Sequence, residues 1–362
     1  MTSRPSAAIG LVVGFMLAAC AKPLPPGVAR LTPRDSGLQS FVWSPSSRRL
    51  AYVEGRFPSR TYLVIADRAT GKRTRERVSG FVLGRGLALS RDGSRALLDA
   101  GKITHSASRN EPVERVLLLV EANGGRVLEQ EVVGNNAVLS LAQPAWASGP
   151  VAAWNGRDGP VWKTFGAVGE RGSLQGPPAW KGLLLDEPFL VVSGRSAQPP
   201  RLAAFDLRTG RAAHDWTAAL SIVALGPALH GGVLSARWVP ETGHFALEVC
   251  DPVSGSRKVM LEADGEIESA VETERGLFAI AKDTTRRNGT GKDFLAPRVL
   301  LAIEAGGARW SVPWSFHQGA FLGADPVDGR LIFAVTDRDR PGVWAVEPTP
   351  AALTAAGAAI DL

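Results

Sequence analysis

From Leu31 onward the chain repeats one theme. Short runs of aliphatic and β-branched residues, bounded by Gly, Pro, Asp and Ser, recur at a spacing of about 45 residues, with almost no helical periodicity between them. A unit of that size cannot bury its apolar surface alone, so the pattern demands several units packed together. Its clearest marker is a turn of the form Asp/Glu-x-x-(x)-Gly after an apolar run: Asp67 to Gly71, Glu121 to Gly124, Asp206 to Gly210, Asp251 to Gly255 and Glu304 to Gly306, preceded by TYLVIA, VLLLV, RLAAF, FALEVC and VLLAI. The carboxylate can accept from turn amides while glycine takes the left-handed position, which makes this a hairpin signature rather than a chemical site.

Upstream of each such turn lies a second module, an apolar strand, a tight turn and another apolar strand. It is clearest in Phe41 to Val53 (FVWSPSSRRLAYV) and in Leu87 to Leu98 (LALSRDGSRALL). These two copies resemble the repeats of TolB-type, WD-like β-propellers, with a pattern of roughly W-S-P-D-G-x-x-I/L-A-F. Weaker copies are Pro144 to Trp154, Pro178 to Val192, Ala228 to Val239, Val271 to Ala281 and Ala320 to Phe333. Trp43, Trp146 and Trp180 are expected at corresponding ends of first strands, packing between blades, with Trp310 and Trp314 freer for a contact surface. The expectation is an all-β chain forming a β-propeller of seven four-stranded blades between about Ser40 and Glu347. Compressed third and fourth units leave six or eight blades open. The seventh unit lacks an outer strand; Val28 to Thr32 can supply it and close the ring, in competition with Ala351 to Leu362.

Composition excludes other classes. The 362 residues are 45% hydrophobic and 21% charged, with mean hydropathy +0.02 and two cysteines. That is too apolar for a disordered polymer and too poor in cysteine for a disulfide scaffold. Beyond the N-terminus no apolar run reaches the roughly 18 residues of a spanning helix. At the N-terminus, Met1 to Arg4 carries one positive charge and Ala7 to Leu17 is small and apolar, the pattern of a signal peptide. It ends in Leu17-Ala18-Ala19-Cys20, which resembles the lipobox of bacterial lipoproteins. The resemblance implies cleavage after Ala19, acylation of Cys20 and anchoring without spanning. Ala21, where an Asp is the usual inner-membrane retention signal, favours the outer membrane and a place in the periplasm or at the cell surface. The expected organisation is therefore a signal peptide over 1–19, a lipidated Cys and Pro-rich spacer over 20–27, and the propeller over 28–362. Cys250 is left without a disulfide partner and is expected to be a packed thiol.

Catalytic and metal chemistry find no support in the sequence. The five histidines, His105, His214, His230, His244 and His317, fall in different units, and no HExxH, CxxC, EF-hand or G-x-S-x-G pattern occurs. Asn288 to Lys292 lacks the first glycine and the Ser/Thr of a phosphate loop. No catalytic set, cofactor or metal is assigned.

Charge carries the functional expectation. The net charge is +6 and the pI about 9.7. In a propeller the connections between second and third strands share one face. Here those segments carry Arg56, Arg60, Lys102, Arg109, Arg157, Arg195, Arg286, Arg287, Lys292, Arg338 and Arg340. The fifth unit alone lacks a cation there. This face is expected to hold an anionic partner, an acidic envelope protein or envelope polymer. Acids such as Glu54, Glu111, Asp158, Asp283, Asp337 and Asp339 dilute it, and opposite-face turns also carry Lys72, Arg73, Arg126, Arg208, Arg211 and Arg257. Nucleic acid is not the expected ligand of a chain outside the cytoplasm. The TolB resemblance implies a protein-interaction platform, although that family has an additional N-terminal domain for which this chain has no room. Leu202 to Arg211 also resembles the repeats of the propeller lipoprotein of outer-membrane protein assembly machinery. The alternative from another class is a propeller polysaccharide lyase or glycosidase acting on an acidic glycan.

Overall fold

The computed structural model describes residues 24–32, 38–43, 49–56, 60–67, 69–102, 114–166, 170–176, 179, 181–194, 199–282, 298–314, 319–325, 328–335 and 342–360, with backbone alone at 38–41, 43, 56, 60, 85, 319–322 and 357–360. They form seven four-stranded antiparallel sheets. Blade 1 is β2 (Leu38–Trp43), β3 (Arg49–Arg56), β4 (Arg60–Asp67) and β5 (Arg73–Glu76); blade 2 is β6 (Phe81–Leu89), β7 (Arg95–Lys102), β8 (Arg115–Glu121) and β9 (Val127–Gly134). Blade 3 is β10 (Val138–Ala142) to β13 (Arg171–Ser173), through β11 (Val151–Asn155) and β12 (Pro160–Thr164). Blade 4 is β14 (Lys181–Leu184), β15 (Phe189–Gly194), β16 (Arg201–Asp206) and β17 (Arg211–Thr217); blade 5 is β18 (Ile222–Pro227), β19 (Val233–Val239), β20 (His244–Cys250) and β21 (Arg257–Ala263). Blade 6 is β22 (Ile267–Thr273), β23 (Gly276–Lys282), β24 (Arg298–Glu304) and β25 (Arg309–Trp314). Blade 7 joins β26 (Gly319–Ala324), β27 (Leu331–Val335) and β28 (Gly342–Val346) to β1 (Val28–Arg30).

The architecture follows from how each strand divides its side chains. Leu97 of β7 and Leu117 and Leu119 of β8 pack toward blade 3, while Ala96 and Leu98 of β7 and Val116, Leu118 and Val120 of β8 pack toward blade 1. In β23, Phe278 and Ile280 face blade 7, and Leu277, Ala279 and Ala281 face blade 5. Middle strands buried on both faces must be apolar without alternation, and that is why RVLLLV and GLFAIA read as continuous runs. The buried side chains accordingly form seven clusters, one at each of the seven blade interfaces. Outer strands have one solvated face; β9, VLEQEVVG, is buried only at Val133.

The ring is closed by the N-terminal strand. β1 pairs with β28, Val28 opposite Val346 and Arg30 opposite Trp344, and supplies the outer strand missing from the seventh unit. Beyond it Leu31 N donates to Val343 O at 2.8 Å, and Val343 N donates to the buried Thr32 Oγ1 at 3.0 Å. Leu50, Tyr52 and Val64 of blade 1 then pack against Ile332, Val343 and Ala345 of blade 7. The competing strand, Ala351 to Leu362, does not form: Pro350–Ile360 is a helix, α1. Thr349 caps it, its Oγ1 accepting from Ala352 N at 3.3 Å, Pro350 occupies the first turn and an alanine-rich run follows. Ala352, Leu353 and Ala356 cover Trp314 and Val28, so Trp314, expected to be free for contacts, is buried. Trp310 is also engaged, its indole donating to Glu304 at 2.8 Å.

The carboxylate turns behave as hairpin devices. Asp206 Oδ1 accepts from Arg208 N at 2.9 Å and Asp251 Oδ1 from Val253 N at 2.8 Å, with Gly210 at φ 70° and Gly255 at φ 73°. Hydrogen bonds from Arg208 and from Ser254 hold these two carboxyls below their ordinary range. The tryptophan equivalence is not kept: Trp43 ends β2, but Trp146 lies beyond β10, and Trp180, outside the described residues, precedes β14. The slip arises because blades 3 and 4 lack the Trp-Ser-Pro signature, and the Pro-Ala-Trp motif that stands in for it follows β10 but precedes β14.

Thr32→Val keeps the shape of the closing segment but strands the buried Val343 N–H, and should cost about 1–3 kcal/mol in urea unfolding. In the β6–β7 turn, Asp92 accepts from Ser90 Oγ (2.7 Å) and Ser94 N (2.9 Å), which lowers its carboxyl to about 2. A carboxyl lowered by folding stabilises above its unfolded value near 4, and loses that contribution as pH falls through about 2. Asp92→Ala should therefore cost about 1 kcal/mol at pH 7, an exposed turn giving the low end, with the gap to wild type closing between about pH 4 and pH 2.

Candidate functional site

Strand order places the eleven cations in or beside the connections between second and third strands. Lys102 ends β7, exposed, and Arg157 stands exposed in the β11–β12 turn. Among the described residues neither has an ion-pair partner. Arg157 is held out by a tight turn in which Gly156 N donates to Gly159 O at 2.7 Å. Gly159 has φ 142°, and a Cβ there would lie 2.1 Å from Leu174 O, so only glycine serves. Arg56 and Arg60 face each other in backbone register at the end of the β3–β4 hairpin. Arg109, Arg195, Arg286, Arg287, Lys292, Arg338 and Arg340 lie outside the described residues, as do Ala19 and Cys20.

The same edge carries a second set of arginines, of which the loop argument reached only Arg60. Arg60, Arg115, Arg201 and Arg298 are the first residues of the third strands of blades 1, 2, 4 and 6. The signal was in the sequence: each stands directly before an apolar run, RTYLVIA, RVLLLV, RLAAF and RVLLAI. Three of them are neutralised within their own blade. Arg115 grips the buried Asp99 with Nε to Oδ1 at 2.7 Å and Nη2 to Oδ2 at 2.6 Å. Arg298 takes Glu268 through Nε at 2.6 Å and Nη2 at 3.1 Å, and Arg201 reaches Asp215 at 3.1 Å. Arg237 of β19 is paired likewise, with both nitrogens on Glu248 Oε1 at 3.1 and 2.7 Å. Lys181 of β14 donates to Ala224 O at 2.7 Å, and burial pulls its ammonium below the usual lysine value. The paired arginines of blades 2, 4 and 6 thus contribute little net charge to this edge, while Lys102 and Arg157 stand exposed.

Asp67, Asp92, Glu121, Asp206 and Asp251 are held below the ordinary carboxylate range by hydrogen bonds in their turns. A general acid requires the opposite shift. Cys250 is fully buried with Sγ 3.2 Å from Ser235 Oγ, and burial raises its thiol, the packed role expected of it. His230 is exposed in the β18–β19 loop on the other face, His214 stacks on Trp216 with ring centres 6.0 Å apart, and His244 Nδ1 lies 2.8 Å from Asp264. His105 and His317 lie outside the described residues, as does the Asn288 to Lys292 loop. Among the described residues no cluster of His, Cys, Asp and Glu is arranged to hold a metal ion.

Two grooves that sequence reasoning missed open on the opposite face. One of about 540 Å³ lies between blades 3 and 4, lined by Trp146, Trp162, Arg171, Pro188 and Leu207; its counterpart between blades 5 and 6, about 550 Å³, is lined by Leu229, His230, Val259, Met260 and Arg309. Trp146 spans the first boundary, its indole donating to Leu185 O at 3.2 Å and meeting Trp162 edge-on at 6.0 Å. No periodicity foretells these grooves, because they form where turns of adjacent blades diverge.

No known family model matches the chain, and no curated protein matches it by sequence. Solved structures match its shape. The β-propeller domain of Cps50 (Swd1) from Myceliophteria thermophila superposes with TM-score 0.57 at 15% identity, covering 88% of this chain and 99% of that one. A chain of the mitotic checkpoint complex gives 0.55 at 15%, over 95% and 97%, and the RRP9 WD40 repeats give 0.52 at 12%, over 90% and 98%. The chain has a WD40-like, seven-bladed β-propeller fold.

Asp99→Asn leaves Arg115 without its counter-charge and should cost about 2–3 kcal/mol in urea unfolding, below the figure for a fully buried pair because the arginine is 38% exposed. Replacing both residues by leucine should recover most of that loss.

Proposed function

We propose that this chain is a lipid-anchored protein of a bacterial cell envelope whose propeller is a non-enzymatic docking platform, gripping an acidic partner protein through the connections between second and third strands. The observation that carries the reading is the closed ring: with β1 on β28 and seven blade interfaces packed, every such connection opens on one face at a fixed angle from its neighbours. A rigid frame bearing variable connections is how binding surfaces are usually built. Lys102 and Arg157 show the character required, exposed cations that no carboxylate within the frame neutralises. Two connections, 103–113 and 283–297, are long enough to carry contacts of their own. The anchor is supported by Leu17-Ala18-Ala19-Cys20 behind an apolar leader, and the outer membrane by Ala21 in the position of the usual retention signal. One structural neighbour was solved as part of a multiprotein complex, a property of that protein which makes a docking role for this shape reasonable.

Crosslinking in intact cells, affinity capture and mass spectrometry should compare wild type with a variant carrying Arg56, Arg60, Arg286, Arg287 and Lys292 all changed to Ala. The expected result is a specific envelope protein captured by wild type and lost from a variant that melts at the same temperature. The interaction should weaken as ionic strength rises from about 0.05 to about 0.5 M. Capture of the same set by both forms would remove the basic face as the docking site and turn attention to binding and cleavage of acidic glycans.

A further inference from the structure

We propose that the face bearing the first-to-second and third-to-fourth strand turns is laid against a lipid bilayer, the one that takes the acyl chains of Cys20, so that the second-to-third strand connections point away from it. The inference rests on the anchoring reading above and adds a direction to it. The direction comes from where β1 begins. Third strands run toward the third-to-fourth turns, and Val346 at the end of β28 pairs with Val28 at the start of β1. Glu347 N donates to Gly27 O at 2.9 Å and Val28 N to Pro25 O at 3.1 Å, so the chain joins the ring on that face. Gly27 fixes the entry, with φ 77° and room for a Cβ only 3.0 Å from Glu347 Oε2 and 3.2 Å from Ala352 Cβ.

The length of the tether makes the direction binding. Seven residue steps separate Cys20 from Gly27, about 25 Å when fully extended. Five-residue strands such as β27 and β28 already separate the two faces by about 17 Å before their turns are added. A tether that climbed the outside of a blade would have almost nothing left to reach a membrane beyond the far face. It must leave directly from the face it enters.

The rim around the entry suits anionic headgroups. Blades 1 and 6 flank blade 7, and their third-to-fourth turns expose Lys72, Arg73 and Arg309, for which the described residues supply no carboxylate partner. The acids of those turns are engaged in hydrogen bonds at the surface: Asp67 Oδ1 accepts from Thr70 N at 3.0 Å and Glu304 Oε1 from the Trp310 indole at 2.8 Å. Glu347 is the exposed acid at the entry itself. Basic groups held beside a lipid anchor add to its hold on an anionic surface.

The test uses the full-length protein, matured in cells and reconstituted into vesicles of phosphatidylethanolamine and phosphatidylglycerol. Single cysteines at exposed positions carry a fluorophore: Ala69→Cys and Ala308→Cys on the turns beside the entry, Lys102→Cys and Thr242→Cys on the opposite side. The native Cys250 is fully buried and does not compete for label. Nitroxide-headgroup lipid should quench the labels at 69 and 308 at least about twofold more than those at 102 and 242. Equal or reversed quenching on an acylated, vesicle-bound protein would overturn the orientation while leaving the anchor standing. Mass spectrometry of the mature protein finding no acyl chain at Cys20 would overturn the anchor and the orientation together.

Discussion

Everything in this molecule depends on the burial of the middle strands of each blade on both faces. A β-sheet with one wet face can end where it likes, but a sheet with two dry faces needs a neighbour on each side. Leu97, Leu117 and Leu119 give blade 2 a claim on blade 3, and Ala96, Leu98, Val116 and Leu118 give it an equal claim on blade 1. Repeating that demand around the chain has one solution without an exposed apolar face, a closed ring. Closure then puts a special requirement on the two blades that meet, because chain connectivity no longer joins them. Leu50, Tyr52 and Val64 pack against Ile332, Val343 and Ala345, Arg73 Nη2 donates across the junction to Leu31 O at 3.3 Å, and the short pairing of Val28 to Arg30 with β28 holds the seam.

The helix α1 belongs to the same problem. β1 is only three residues long, and a strand that short gains little from its own ladder. Its hold is reinforced from outside: Leu353 and Ala356 of α1 share a cluster with Val28, Val346 and Trp314. The two ends of the chain therefore meet over one blade, where an outer strand and its cover are supplied by segments more than 300 positions apart in the sequence.

How much of this could be read from the residues varies with the physics of each element. The doubly buried strands announced themselves as continuous apolar runs, and the Asp-x-x-x-Gly turns announced the hairpins, so seven blades and closure by Val28 to Thr32 could be expected, with six or eight blades and closure by Ala351 to Leu362 left open. The helix was not, because Ala351 to Ile360 has no amphipathic period against a sheet it merely caps; Thr349-Pro350 before an alanine run was the signal available. Trp314 misled for the same reason, since the helix that covers it lies in another part of the chain. The basic connections were legible as positions. Their neutralised counterparts at Arg115, Arg201 and Arg298 were not, because the carboxylates that take their charge, Asp99, Asp215 and Glu268, sit on second, fourth and first strands respectively, with no common spacing.

That contrast bears on how such a frame can carry a binding function. Arginines at the heads of third strands sit where a blade meets solvent, and an unpaired cation half-buried there would be costly to the fold. Blades 2, 4 and 6 each meet this need privately, with Asp99, Asp215 and Glu268 respectively. Cations placed farther out, on turns such as that of Arg157, escape the need because water solvates them, and they remain free to meet an outside charge. Length and composition of the connections can then vary without disturbing either the strand-end pairs or the blade interfaces. The division between arginines paired within blades 2, 4 and 6 and cations such as Lys102 and Arg157, exposed and without an ion-pair partner among the described residues, is what a platform requires.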